Sequence, residues 1–120
     1  MPVVMTQMDA DRVMEEALKN SAFDPTTARG RLLCLHHTLS QEARLLMEKK
    51  NQDYASEADP YANFRMFGTL GIVVRLGDKI ARLKTFAERG DFKVSDEQLR
   101  DTLLDIINYA VLFEGMSKEK

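Results

Sequence analysis

The side chains best able to do chemistry stand where the hydrophobic pattern calls for apolar residues. Asp101 and Asp105 lie four apart within a run that also holds Leu99, Leu103, Leu104, Ile106, Ile107, Tyr109, Ala110, Val111, Leu112 and Phe113. As a helix, such a run is apolar around most of its circumference and must be buried on several sides. Asp101, Asp105 and Asn108 interrupt it along one narrow stripe. Two carboxylates at i and i+4 face the same way and repel, so the pair is costly without a cation. A hard ion such as Mg²⁺ suits oxygen ligands at this spacing. The plainer alternative is that Asp101 favours a helix N-terminal turn while Asp105 pairs with an arginine or lysine.

Glu42 poses the same conflict. It lies seven residues after Leu35 and seven before Lys49. At ~100° per residue this puts it on the seam of Leu32, Leu35, Leu39 and Leu46, and Lys49 and Asp53 continue the line. A carboxylate on an apolar seam bears a desolvation cost unless a cation, donor or metal compensates it. Glu42 therefore either meets Lys49 at the rim of the core or serves binding or catalysis. A third group, Arg75, Asp78, Lys79 and Arg82, runs beside the apolar Val73, Leu76, Ile80 and Leu83. On the surface, an Asp78–Arg82 pair is worth only ~0.3–0.5 kcal/mol. Facing Asp101 and Asp105 instead, the strip would supply cations for phosphate oxygens.

These residues need helices to position them. Caps and periodicity predict four, over 9–19, 25–52, 64–87 and 95–114, with 115–120 as a tail. Val13, Ala17 and Leu18 form the stripe of the first, and 20–23 breaks it. Asp24-Pro25 reads as an N-cap followed by proline at the first helical position, with a possible break near Gly30. A loop is expected over 54–61. Gly90-Asp91 ends the third helix. Ser95 and Gln98 form a capping box, and Gly115 stops the fourth helix. The fold class is all-α, an antiparallel bundle of about four helices in a single domain.

Composition agrees. Leu, Ala and Met number 14, 11 and 7 against 7 Val and 4 Ile, which favours helix over sheet. The 120 residues are one domain's worth. The 17 basic and 19 acidic side chains give a net charge of −2, which disfavours a nucleic-acid binder working by bulk positive charge. Cys34 is the single cysteine, so there is neither an internal disulfide nor a zinc spacing, and it reads as a small core residue. No apolar run approaches the ~18–20 residues of a membrane span, and 1–8 lacks the form of a signal peptide. A cytoplasmic protein is expected. His36 and His37 are adjacent, so they point ~100° apart and cannot share a metal from one face. Gly68, Gly71 and Gly77 form no phosphate-cradling loop pattern, and Gly77 points to close packing or close approach of a ligand. Met5, Met8 and Met14 suggest an adaptable apolar surface fit for an oligomer contact.

Several short motifs resemble a known family. They are Lys49-Lys50 through Asp53-Tyr54; Phe64-Arg65 with Phe67-Gly68; Arg75-Leu76-x-Asp78-Lys79-x-x-Arg82-Leu83; and Asp101-Thr102-Leu103-Leu104-Asp105-x-x-Asn108-Tyr109-Ala110. Over roughly 40–113 the chain resembles the nucleotide-modification-associated domain 1 family, small proteins common in bacteriophages. The plan of that family is similar to the MazG-like all-α nucleoside triphosphate pyrophosphatases, which use acidic residues on two helices to bind Mg²⁺. The resemblance implies that Asp105 matches the aspartate ending an ExxD motif. Thr102 stands where that motif has Glu, with the carboxylate displaced to Asp101. The first acidic motif of that group is incomplete, with Glu42 and Glu48 its available carboxylates.

The resulting expectation is a Mg²⁺-dependent nucleotide-handling protein resembling a nucleoside triphosphate pyrophosphohydrolase. Glu42 and Asp105 would be catalytic, and Glu42, Asp78, Asp101 and Asp105 would be metal ligands. Lys49, Asp53, Tyr54, Lys79, Arg82 and Asn108 would bind nucleotide, with Tyr54 or Phe64 stacking on a base. The implied partners are a small nucleotide and a second copy or three more of the same chain, in the cytoplasm of an infected bacterium if the protein is of phage origin. Two other readings stand beside it: a non-catalytic nucleotide sensor or sponge using the same pocket, and a structural or host-interaction protein, to which the methionine-rich N-terminus points.

Overall fold

A computed structural model describes residues 6–9, 11, 12, 15, 23–54, 59–90 and 96–119, with backbone alone at 51–54 and 96. The fold is all-α. Beyond helical residues near the N-terminus, the elements are α1 (Ala28–Tyr54), a short 3₁₀ turn (Ala62–Phe64), α2 (Thr69–Arg89) and α3 (Asp96–Lys118). The chain divides into two compact units, Met1–Lys50 and Asn51–Lys120.

In the first unit the N-terminal helix starts earlier than the periodicity predicts. Residues 7–9 are already helical. The Thr6 hydroxyl accepts from the Asp9 N–H at 3.1 Å, and the Asp9 carboxylate accepts from the Thr6 N–H at 3.2 Å. This reciprocal pair satisfies two end groups the helix cannot bond itself. Val13, Ala17, Leu18 and the predicted break over 20–22 lie outside the described residues.

The cap of α1 also moves. Asp24 is not the N-cap: its carboxylate accepts from the Thr26 N–H at 2.9 Å and the Thr26 hydroxyl at 2.6 Å, which makes a turn. These bonds hold the Asp24 carboxyl below the usual carboxylate range. Thr27 is the cap, its hydroxyl accepting from the Gly30 N–H at 2.9 Å. Gly30 makes no break. It lies in the first turn of α1, and glycine is needed there because a Cβ would collide with the Asp24 carbonyl. The buried line of α1 is Cys34, Thr38, Glu42 and Leu46, every fourth residue, with Ala43 beside it. Leu32 and Leu35 from the predicted seam are exposed. The Thr38 hydroxyl bonds the Cys34 carbonyl at 2.9 Å, which lets a polar side chain sit on the buried line.

In the second unit α2 and α3 pack antiparallel. Phe86 and Arg89 at the end of α2 share a groove with Gln98 and Thr102 at the start of α3, Lys79 and Asp105 meet near the two midpoints, and Phe64 before α2 touches Tyr109 late in α3. Ile72 and Leu104 are fully buried and Phe86 nearly so, whereas the predicted inward residues Val73 and Ile80 are about half exposed. The packed side of α2 is therefore turned about one residue from the expected stripe. α2 starts at Thr69 rather than 64, because Gly68 before it takes φ 63°, a conformation that strains any side chain. Gly90, at φ 68°, closes α2 by donating to the Phe86 carbonyl at 3.2 Å.

α3 continues through Gly115 to Lys118, so 115–118 is helix and not tail. Gly115 is required by close approach: a Cβ there would run into the Tyr61 hydroxyl. Arg65 fastens the same end. It bonds both oxygens of Asp59 (2.9 and 2.7 Å), reaches Glu119 at 3.2 Å and lies 5.6 Å from the centre of the Tyr61 ring. The Arg65 guanidinium beside Asp59 holds that carboxyl below its ordinary value. Ser95 of the predicted capping box lies outside the described residues.

Candidate functional site

A groove of about 540 Å³ runs between α2 and α3 in the second unit. Lys79, Arg82, Phe86 and Arg89 line it from α2, at the three- and four-residue spacing that keeps side chains on one face. From α3 come Gln98, Asp101, Thr102 and Asp105. The groove follows from the packing. Ile72 and Leu104 bring the helices together, and the longer polar side chains beside them fan out along the seam.

The centre of the groove is an ion pair. Lys79 Nζ lies 2.8 Å from Asp105 Oδ2, and both side chains are more than four-fifths buried. Of the two sequence readings for Asp105, the structure realises the pairing with a lysine. Arg82 and Arg89 are exposed and make no ion pair among the described residues. Asp101 lines the wall one turn before Asp105. With Lys79 and Asp105 cancelling, two guanidiniums stand against one carboxylate, and the wall keeps a surplus of positive charge. The Thr102 hydroxyl donates to the Gln98 carbonyl at 2.9 Å.

The remaining expected site residues lie elsewhere. Asp78 is exposed on α2 and does not line the groove. Asn108 is buried in α3, three residues beyond Asp105, and does not line the groove. Glu42 is 4% exposed on α1 in the first unit. Lys49 is engaged by Asp9, with Nζ 2.6 Å from Oδ2. That contact holds the Asp9 carboxyl down at about 2. The side chains of Asp53 and Tyr54 lie outside the described residues. Arg89, Thr85 and Phe86 line the groove without having been singled out in the sequence, and Gln98 stands out there only as part of a capping box. Arg89 did carry a signal, since it follows Arg82 by seven residues and so falls on the same face.

The sequence leads to an expectation of Mg²⁺ held by carboxylates. Asp101 and Asp105 offer hard oxygen donors, but Asp105 is already neutralised by Lys79. Among the described residues, no three His, Cys, Asp or Glu side chains converge as a metal-holding group. Asp101 and Asp105 are the groove carboxylates that would hold a Mg²⁺, and Lys79 already pairs with one of them. The arrangement suits a different task, direct ion pairing of an anion with guanidinium groups.

The sequence model of the nucleotide modification associated domain 1 family matches residues 50–113. The chain belongs to this family. The matched segment contains all of α2, the groove and α3 as far as Phe113. No curated protein and no solved structure matches the chain. Among the described residues, no helix is long and apolar enough to cross a membrane.

Proposed function

We propose that this member of the nucleotide modification associated domain 1 family binds a nucleotide, with its phosphate oxygens on the α2–α3 groove. The observation that carries this reading is the pair of exposed guanidiniums, Arg82 and Arg89, about two turns apart on the wall that Lys79 and Asp105 share. Arginine presents a planar fork of donors that matches phosphate oxygens two at a time. Phe86 and the buried stem of Lys79 give the groove an apolar floor, which strengthens each charge contact above it.

The role is binding without turnover, in the manner of a sensor or store. What favours this over metal-assisted phosphoanhydride cleavage is that Lys79 already neutralises Asp105, one of the two groove carboxylates. The readout is calorimetric titration with nucleoside triphosphates at low salt, with EDTA and separately with Mg²⁺. Binding in EDTA, weakened at least ~10-fold in Arg82→Gln/Arg89→Gln, is the expected result, since a charge-assisted hydrogen bond contributes ~1.5–3 kcal/mol. Both arginines are exposed, so the variant keeps its fold. Binding unchanged by that variant would remove the groove from consideration. Pyrophosphate release that requires Mg²⁺ and is lost in Asp105→Asn would restore the pyrophosphohydrolase reading, in which Asp101 and Asp105 hold the metal.

A further inference from the structure

A second hollow, of about 390 Å³, opens on the second unit where the 3₁₀ turn meets the start of α2. Phe64, Phe67, Leu70 and Val74 form its walls, and Asn63 and Arg75 stand at its polar edge. Two features make it a slot rather than a patch. Phe64 is fixed edge-on against Tyr109 of α3, with ring centres 6.2 Å apart and planes at 90°. Gly71 forms the floor, where a Cβ would come within 3.2 Å of Phe67 Cβ and 3.9 Å of Phe64 Cδ1. Any larger residue at 71 would take up space beside Phe67 and Phe64. Phe67 is 70% exposed, an unusual outlay of aromatic surface.

The slot and the groove approach one another at Arg75, while Leu70 and Val74 of the slot face further round α2. On α2, Arg75, Lys79 and Arg82 fall within a sector of ~60°, and Arg75 stands ~10 Å along the axis from Arg82. On α3, Tyr109 lies one turn beyond Asp105 and carries Phe64. Passing along α2 from Arg82 to Arg75, a rise of ~10 Å that one nucleoside triphosphate can span, the lining changes from the charged groove to the aromatic slot. Arg75 makes no ion pair among the described residues.

We infer that the Phe64–Phe67 slot holds the base of the nucleotide whose phosphates lie in the groove, with Phe67 stacking on the ring and Arg75 and Asn63 meeting its polar edge. Stacking accepts any base, because every base has a π-face. Hydrogen bonds from Arg75 and Asn63 are the part able to discriminate. This inference rests on the proposed phosphate groove, and its test separates the two.

The test compares a nucleoside triphosphate with inorganic tripolyphosphate, by calorimetry in EDTA, on the wild type, Phe67→Ala, Gly71→Ala and Arg75→Gln. The wild type should bind the nucleotide ~10-fold or more tightly than tripolyphosphate, the order of one base stacked on an aromatic side chain. Phe67→Ala and Gly71→Ala should bring the nucleotide down to the tripolyphosphate affinity and leave tripolyphosphate binding unchanged. Arg75→Gln should alter the ranking among bases. Saturation transfer from the phenylalanine ring protons to the base protons of bound nucleotide should appear in the wild type and vanish in Phe67→Ala. Equal affinities for nucleotide and tripolyphosphate, or a Phe67→Ala protein that binds nucleotide as the wild type does, would overturn the base slot while leaving the groove intact. A change in oligomeric state in Phe67→Ala, with nucleotide binding unaltered, would also overturn it and assign the exposed rings to a contact between copies. Absence of tripolyphosphate binding in the wild type would instead refute the groove.

Discussion

Two lysine–aspartate pairs of nearly the same length do different work in this chain. In the first unit Lys49 meets Asp9 at 2.6 Å, and in the second Lys79 meets Asp105 at 2.8 Å. Lys49 keeps 37% of its side chain in water, and Asp9 is also bonded by the Thr6 N–H that it caps. That pair is a clasp between residues forty positions apart. Lys79 and Asp105 are 17% and 14% exposed, and they lie in a groove with Arg82 and Arg89 on the same wall. Sequence treated Lys49 and Lys79 alike, as cations for phosphate. Their surroundings separate them: Lys49 is spent on an end cap, whereas Lys79 neutralises an acid that would otherwise repel an anion from two neighbouring arginines.

The sharpest way to break this comparison is to remove each lysine. Lys79→Met leaves the Asp105 carboxylate in a mostly buried place without its cation, and should cost about 1–3 kcal/mol in chemical unfolding. Lys49→Met removes a more solvated pair and should cost under about 1 kcal/mol. Equal losses would mean that the two pairs are equivalent and that burial in the groove has no consequence. Gly115→Ala probes how α3 is held beside the groove. The added methyl meets the Tyr61 ring and hydroxyl, and a loss of about 1–2 kcal/mol is expected, read as a lower midpoint in urea. Trimming the obstacle with Tyr61→Phe in the same chain should recover part of it.

The effect confined to the narrowest conditions concerns acid. Asp9 is held at about 2 against an ordinary 3.8, chiefly by the Lys49 hydrogen bond. Its folded form thus favours the ionised state. The stabilisation is fully present above pH 3.8 and is lost as the pH falls through about 2. Asp9→Asn should flatten the stability profile in that window and leave it unchanged at neutral pH apart from a constant offset. A wild-type profile with the same acid slope as Asp9→Asn would show that the clasp does not form in solution.

Much of the architecture was legible because helix formation is local. The excess of Leu, Ala and Met over Val and Ile, the breaks between segments and the Gly90 stop all act within a few residues of themselves. Caps were less legible. Thr6 with Asp9 and Thr27 with Gly30 use ordinary capping chemistry, but Asp24-Pro25 offered a competing start three residues before Thr27. Buried faces were harder still. Leu32, Leu35, Val73 and Ile80 are apolar at helical spacing yet stand exposed or half exposed. A stripe records which residues tolerate burial, and its periodicity does not say which of two adjacent stripes meets a neighbour.

The candidate site divides along the same line. By itself the sequence determined that carboxylates and cations interrupt apolar helical faces, that the chain is all-α, and that its second half carries the family's motifs. Those facts follow from residue type and the fixed ~100° turn of the helix. Tertiary structure alone decided which charge meets which. The antiparallel register of α2 and α3 put Lys79 on Asp105, left Arg82 and Arg89 facing open space, and set Phe64 against Tyr109. A register between helices is the joint outcome of every contact along both, and no single motif encodes it.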